Sequence, residues 1–332
     1  VGFSYGANDR LASVTYPNGV TKGLTYDAAN KVTEVVVTGA GGASPLRRAY
    51  TYDGEGNKTS VTDEVYGVTG YTYDALNRLV AETDPATGYT TSYTYDPAGN
   101  RLTRTVTDAA GAVVDSVAYA YDRANQLVSV GGTGYTYDPN GNLIADGRRT
   151  YTWDPQNRLV EVRDAVTGAL VASFTYDGQG RRLSQATPAG TTYYHYDGDR
   201  VAYETDQTGA VLRQYTYDGA GVPVTMRAGG ATYYYLANDR GDVLGLLDQA
   251  GSWVARYRYD AWGNLLEEAG PLAGANPYRY AGYRWDEATG LYFLNSRYYD
   301  PALGRFLSRD SVLGAPKDPQ TLNAYVYARN NP

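Results

Sequence analysis

The sequence predicts an all-β protein made of tandem β-hairpins. Three observations carry that prediction. An aromatic-x-Tyr-Asp unit recurs along the 332 residues, turn-forming residues follow each copy, and tyrosine reaches 36 residues against four each of Phe and Trp. The copies run 50–53, 71–74, 93–96, 119–122, 135–138, 151–154, 174–177, 194–197, 215–218 and 257–260, with a weaker one at 24–27. The paired positions Tyr73 and Asp74, Tyr95 and Asp96, Tyr137 and Asp138, Trp153 and Asp154, Tyr176 and Asp177, and Tyr217 and Asp218 mark the repeat. From Asp53 to Asp218 successive Asp residues lie 16 to 26 apart. Self-similarity at such a period points to a repeat architecture.

Each part of the repeat has a local reason. Aromatic-x-Tyr has period two, so both rings fall on one face of an incoming strand. Asp opens a turn by accepting hydrogen bonds from the amides ahead of it. Pro presets the next position, and Gly or Asn supplies a positive φ. Asp96-Pro97-Ala98-Gly99-Asn100-Arg101-Leu102 shows the full turn and the start of an outgoing strand. Each unit is thus a hairpin of roughly 20 residues. One hairpin cannot bury its face alone, so neighbours are expected to pair into a long, twisted sheet with a tyrosine ladder.

Composition narrows the functional classes. The chain has no Cys and one His, His195. That removes disulfides, thiolate metal sites and histidine clusters, and no cofactor is expected. His195 reads as an ordinary strand residue. A net charge of −7 argues against a nucleic-acid surface. No apolar run reaches the roughly 20 residues of a membrane helix. Only Lys22, Lys31, Lys58 and Lys317 are lysines, so arginine carries the positive charge, suited to carboxylate pairing and stacking on tyrosine. The repeated Asp residues are read as turn formers rather than calcium ligands. The Gly-rich stretch at 38–43 lacks Gly-Lys-Ser/Thr and reads as a loop insertion.

From about Asn238 the pattern changes. Asn238-Asp239-Arg240-Gly241-Asp242 reads as a hairpin of another kind. A dense segment follows, with Tyr283-Arg284-Trp285-Asp286-Glu287-Ala288-Thr289-Gly290-Leu291-Tyr292 and Arg297-Tyr298-Tyr299-Asp300-Pro301. Gly304-Arg305-Phe306-Leu307-Ser308-Arg309-Asp310 comes next.

The Tyr-Asp units resemble the YD repeats of RHS proteins, and the tail resembles the RHS-associated core domain. The resemblance spans nearly the whole chain. It implies a β-ribbon spiralling into a hollow shell, with residues 1–237 as the hairpin array and 238–332 as the core domain that plugs one end. It also implies a structural role: a secreted or surface shell segment, bacterial, that encloses and presents a C-terminal cargo such as a toxin. The core is similar to an aspartyl autoprotease, which would place Arg297 and Asp310 at its site. The resemblance puts the second aspartate in a D-P-x-G segment a few residues beyond Asn330-Asn331-Pro332, so this chain would hold an incomplete half-site. The chain begins within a repeat and is expected to be part of something longer. Partners would be the rest of that chain and its cargo. Edge physics leaves an alternative: copies of the chain associating edge to edge as a filament or adhesive protein, with tyrosine faces contacting glycans.

Overall fold

The computed structural model describes residues 1–39, 46–312 and 314–332. Most of the Gly-rich stretch, from Ala40 on, lies outside the described residues. The protein is all-β. Thirteen strands, from Gly2–Tyr5 to Thr133–Gly134, form one antiparallel sheet in strict chain order. Fourteen more, from Thr136–Tyr137 to Leu265–Ala269, form a second. Four short strands, Arg284–Asp286, Leu291–Phe293, Tyr298–Asp300 and Arg305–Phe306, make a third. First and last strands lie at opposite ends of each sheet, so none closes into a barrel.

The turn chemistry is the expected one. The N–H groups of Leu76 and Arg78 donate to Asp74 Oδ1 at 2.9 and 3.0 Å, and the Asp74 N–H donates to the Arg78 carbonyl. In all the repeats but the one at Asp197, the third residue after the Asp takes positive φ and is Gly or Asn: Asn77 at 60°, Gly99 at 81°, Gly141 at 86°, Asn157 at 60°. Where the fourth residue is Arg or Asn, its side chain also closes the turn. Arg78, Arg158 and Arg181 each reach Asp Oδ2 at 2.7 Å, while Asn57, Asn100 and Asn142 do so at 2.8 Å. Those asparagines also donate to the next turn, Asn57 to Asn77, Asn100 to Asn125 and Asn142 to Asn157. The segment at Asn238 uses the same turn, with Asn in place of Asp: the N–H groups of Arg240 and Asp242 donate to Asn238 Oδ1.

Strand alternation sorts the motif's three side chains. The first aromatic is buried at Tyr50, Tyr93, Tyr151, Phe174, Tyr194 and Tyr257, and the middle residue is exposed at Thr51, Thr94, Thr152 and Thr175. The second aromatic is half-buried and carries a hydrogen bond the sequence did not reveal. Tyr52 Oη donates to the Val32 carbonyl at 2.7 Å, Tyr73 to Lys58 at 2.9 Å, Tyr121 to Arg101 at 2.9 Å and Tyr176 to Leu159 at 2.7 Å. In these four the acceptor is the fifth residue after the Asp of the preceding repeat. Trp153 fits because its Nε1–H reaches the Leu143 carbonyl at 2.7 Å. Tyr95 is half-buried, Tyr137 packs edge-on against Tyr325, and Tyr217 Oη meets Tyr278 Oη at 2.7 Å.

Chain contacts divide the molecule into two compact units. The first comprises Val1–Thr91, Val106–Val114 and Thr216–Gly282; the second comprises Ser92–Thr105, Asp115–Tyr215 and Tyr283–Pro332. In the first, Val14, Val37, Leu46, Leu236, Leu244 and Leu247 build the core. In the second, repeat residues Leu143, Leu159, Val162 and Phe174 pack against Leu291, Phe293, Tyr298 and Leu307 of the small sheet. The small sheet therefore lies on the buried face of these hairpins.

Candidate functional site

Arg297 and Asp310 come from different parts of the small sheet and meet. Arg297 sits in the tight turn between Leu291–Phe293 and Tyr298–Asp300, closed by the Leu294 N–H on the Arg297 carbonyl at 2.9 Å. Asp310 follows Arg305–Phe306, where the Leu307 N–H donates to the Tyr298 carbonyl. Asp310 is fixed at its backbone by its N–H on the Ala324 carbonyl at 2.9 Å. Arg297 Nη2 then lies 2.8 Å from Asp310 Oδ2.

The guanidinium is held on three sides. It stacks 3.6 Å from the Phe306 ring centroid, donates to the Ala324 carbonyl at 3.3 Å, and pairs with Asp310. Phe306 in turn packs edge-on against Tyr299 and Tyr327, each with its ring centroid 5.9 Å away. Burial pulls the Arg297 guanidinium below its ordinary value, opposed by the Asp310 charge. One oxygen of Asp310 also caps the Val312 N–H at 2.9 Å.

Both residues line a cavity of about 690 Å³ within the second unit. Its other wall is made of repeat turns, including Asn140, Gln156, Gln179 and Asp199. Asp199 and Asp310 are the carboxylates of the lining. A carboxylate dyad works by sharing one proton between two carboxyls in contact. Here the partner of Asp310 is an arginine, which orients it and offsets its charge. The arrangement is thus one oriented carboxylate facing a cavity of mixed polar and apolar lining. Among the described residues no group of three or more His, Cys, Asp or Glu could hold a metal ion.

Other buried polar constellations escaped the sequence reading. Arg182 is fully buried, forks onto Asp286 at 2.5 and 2.9 Å, donates to Tyr298 Oη and stacks on Phe293. Glu204, also fully buried, accepts from Arg213 at 2.6 Å, Arg284 at 2.7 Å and Tyr215 at 2.6 Å. A signal for Arg182 existed. It stands five residues after its Asp, where Leu79, Leu127, Leu143 and Leu159 stand in four other repeats and the cations Lys58 and Arg101 in two. A cation at an apolar position asks for a buried counter-charge. His195 stacks on Tyr203 at 4.3 Å, and its Nε2 lies 3.0 Å from Thr205 Oγ1.

A family model of the teneurin YD-shell matches residues 51–332, and one of the RHS repeat matches 5–44 and 26–69. The chain belongs to the YD-shell and RHS-repeat family. It is 39% identical over 334 residues to the tRNA3(Ser)-specific nuclease WapA of Bacillus spizizenii, covering 99% of this chain and 14% of that protein. It is 28% identical over 356 residues to the toxin protein Tse5 of Pseudomonas aeruginosa, covering 88% of this chain and 26% of that protein. The crystal structure of TcdB2-TccC3-TEV superposes with a TM-score of 0.83 at 20% identity, over 100% of this chain and 19% of that one. A Tc holotoxin pore of Photorhabdus luminescens gives 0.82 at 20% identity, over 100% and 18%. At that identity the likeness establishes the fold, which is the YD-shell fold. This RHS chain is thus a shell segment of the kind toxin-like proteins contain, and it spans 14% to 26% of the length of these two curated relatives. Among the described residues no helix is long and apolar enough to cross a membrane.

Proposed function

We propose that this RHS chain forms part of a shell that encloses and presents a C-terminal cargo in a secreted or surface protein. In this reading 1–237 is the wall and 238–332 the end piece, with Arg297 and Asp310 belonging to a self-cleavage site that releases the cargo. The observation that carries the reading is the packing of the small sheet onto the buried face of the repeats, around Leu143, Phe174, Phe293 and Tyr298. A tail bound to the inner side of a repeat wall suits a segment that ends a container. The Arg297–Asp310 pair, held by Phe306 and Ala324 at the edge of the cavity, supports the cleavage step.

The test uses a chain extended past Pro332 by its natural continuation. Intact mass should show two products, and electron microscopy of the native material should show hollow particles. Asp310→Asn should leave the extended chain in one piece while it folds. Unchanged processing removes Asp310 from the mechanism. Particles without an enclosed space remove the container.

A further inference from the structure

The cavity beside Asp310 has a second wall that the cleavage reading does not use. Four consecutive hairpin turns border it, and each contributes the residue two places after its Asp: the carboxamides Asn140 after Asp138, Gln156 after Asp154 and Gln179 after Asp177, and then the carboxylate Asp199 after Asp197. In the remaining repeats that place holds Ala29, Glu55, Leu76, Ala98, Ala124, Ala220 and Trp262. Carboxamides occur there only where the turns border the cavity. The position is not needed for the turn, since its backbone N–H caps the Asp: Gln156 on Asp154 and Gln179 on Asp177, both at 2.9 Å, as Ala124 does on Asp122 at 2.8 Å. The three side-chain amides make no hydrogen bond within the described residues and are exposed. The arginines of the same turns are occupied instead. Arg158 and Arg181 pair with Asp154 and Asp177 and donate onward to the carbonyls of Asp177 and Gly198.

We propose that Asn140, Gln156 and Gln179 form a wall that binds an extended peptide through its backbone. A carboxamide offers a donor and an acceptor, the complement of a peptide group. Turns at one end of consecutive hairpins stand two strands apart, about 9.6 Å. An extended chain advances about 10 Å in three residues. A peptide crossing the turns therefore meets one carboxamide every third residue, independent of its side chains. The proposal deepens the cleavage reading, on which it rests for the peptide as occupant, by giving the cavity a means to hold the chain while Asp310 faces it.

The experiment follows the side-chain amide resonances of the 332-residue chain by nuclear magnetic resonance. The probe is an uncharged peptide, three repeats of Gly-Ser-Thr with blocked ends; cellohexaose is the comparison. Expected are shifts at Asn140, Gln156 and Gln179 with the peptide and none with the sugar. The triple variant Asn140→Ala, Gln156→Ala, Gln179→Ala should fold normally, because Ala occupies this place elsewhere, and should weaken peptide binding about tenfold or more. In the extended chain it should slow cleavage, whereas Asp310→Asn should abolish cleavage and leave peptide binding intact. No shift with the peptide, or shifts with cellohexaose alone, would overturn the peptide wall. Peptide binding with cleavage indifferent to Asp310→Asn would leave the wall and remove the cleavage reading.

Discussion

Two tyrosines in one strand, Leu46–Tyr52, should respond in opposite directions to loss of a hydroxyl. Tyr52 Oη donates to the Val32 carbonyl at 2.7 Å. Tyr50 Oη is buried without a hydrogen-bond partner among the described residues, and burial raises its pKa. Tyr52→Phe removes a hydrogen bond at a half-buried place and should cost about 1 kcal/mol. Tyr50→Phe removes a buried hydroxyl that gave up water for nothing, a penalty of about 1–3 kcal/mol. Part of that gain is offset, because Lys58 Nζ lies 4.4 Å from the Tyr50 ring centroid and a phenyl face holds a cation about as well or slightly less so, by roughly 0.5 kcal/mol at most. The net expectation is about 1 kcal/mol of added stability. The two variants should therefore differ by about 2 kcal/mol, roughly a thirtyfold ratio in the folding constant. The chain contains its own controls. Phe174 occupies the first aromatic place without a hydroxyl, and Trp153 occupies the second with an N–H donor. Urea unfolding followed by far-ultraviolet circular dichroism reads the shift in midpoint at constant slope. Equal destabilisation by both changes, or no effect of Tyr52→Phe, would refute the division of roles between the two rings.

Two further outcomes follow from buried charge. Arg182→Met strands Asp286 without its cation and should cost about 3–5 kcal/mol in urea unfolding, while adding Asp286→Leu should restore most of it; a double variant as weak as the single one would contradict this. Glu82 is buried, accepts the Ala261 N–H at 2.9 Å, and is pushed up to about 8 by burial and then by the Asp260 charge. The folded protein thus keeps a proton that the unfolded chain releases near 4.5. This contribution to stability is complete below about 4.5 and is lost as pH rises through about 8. Glu82→Gln keeps an acceptor for Ala261 and removes the titration, so its melting temperature should fall less than that of the parent between pH 5 and 8.5; parallel curves would reject the assignment.

Much of the fold was legible because the repeat is written in local chemistry. Asp74, Asn77 and Arg78 act within five residues of one another, so the turn was readable from their order. Alternation put Tyr50 and Tyr52 on one face for the same reason. The site was legible in part. Arg297 and Asp310 were named from the tail's motif, whereas Phe306 and the Ala324 carbonyl that hold Arg297 were not, because neither residue type signals such a role. The carboxamides at 140, 156 and 179 stood out of the repeat, yet only the shared cavity gave that departure a direction.

The sequence by itself determined the hairpin, its turn and its two faces, since period-two alternation and Asp-initiated turns depend on neighbours along the chain. The tertiary structure decided which carbonyl each second tyrosine reaches, which carboxylate neutralises Arg182, and which turns border the cavity of Asp310. The first two choices join residues 14 to 104 positions apart, from Tyr196 on the Arg182 carbonyl to Arg182 on Asp286. They are set by sheet register and by the packing of the tail on the repeats, and no local pattern encodes either.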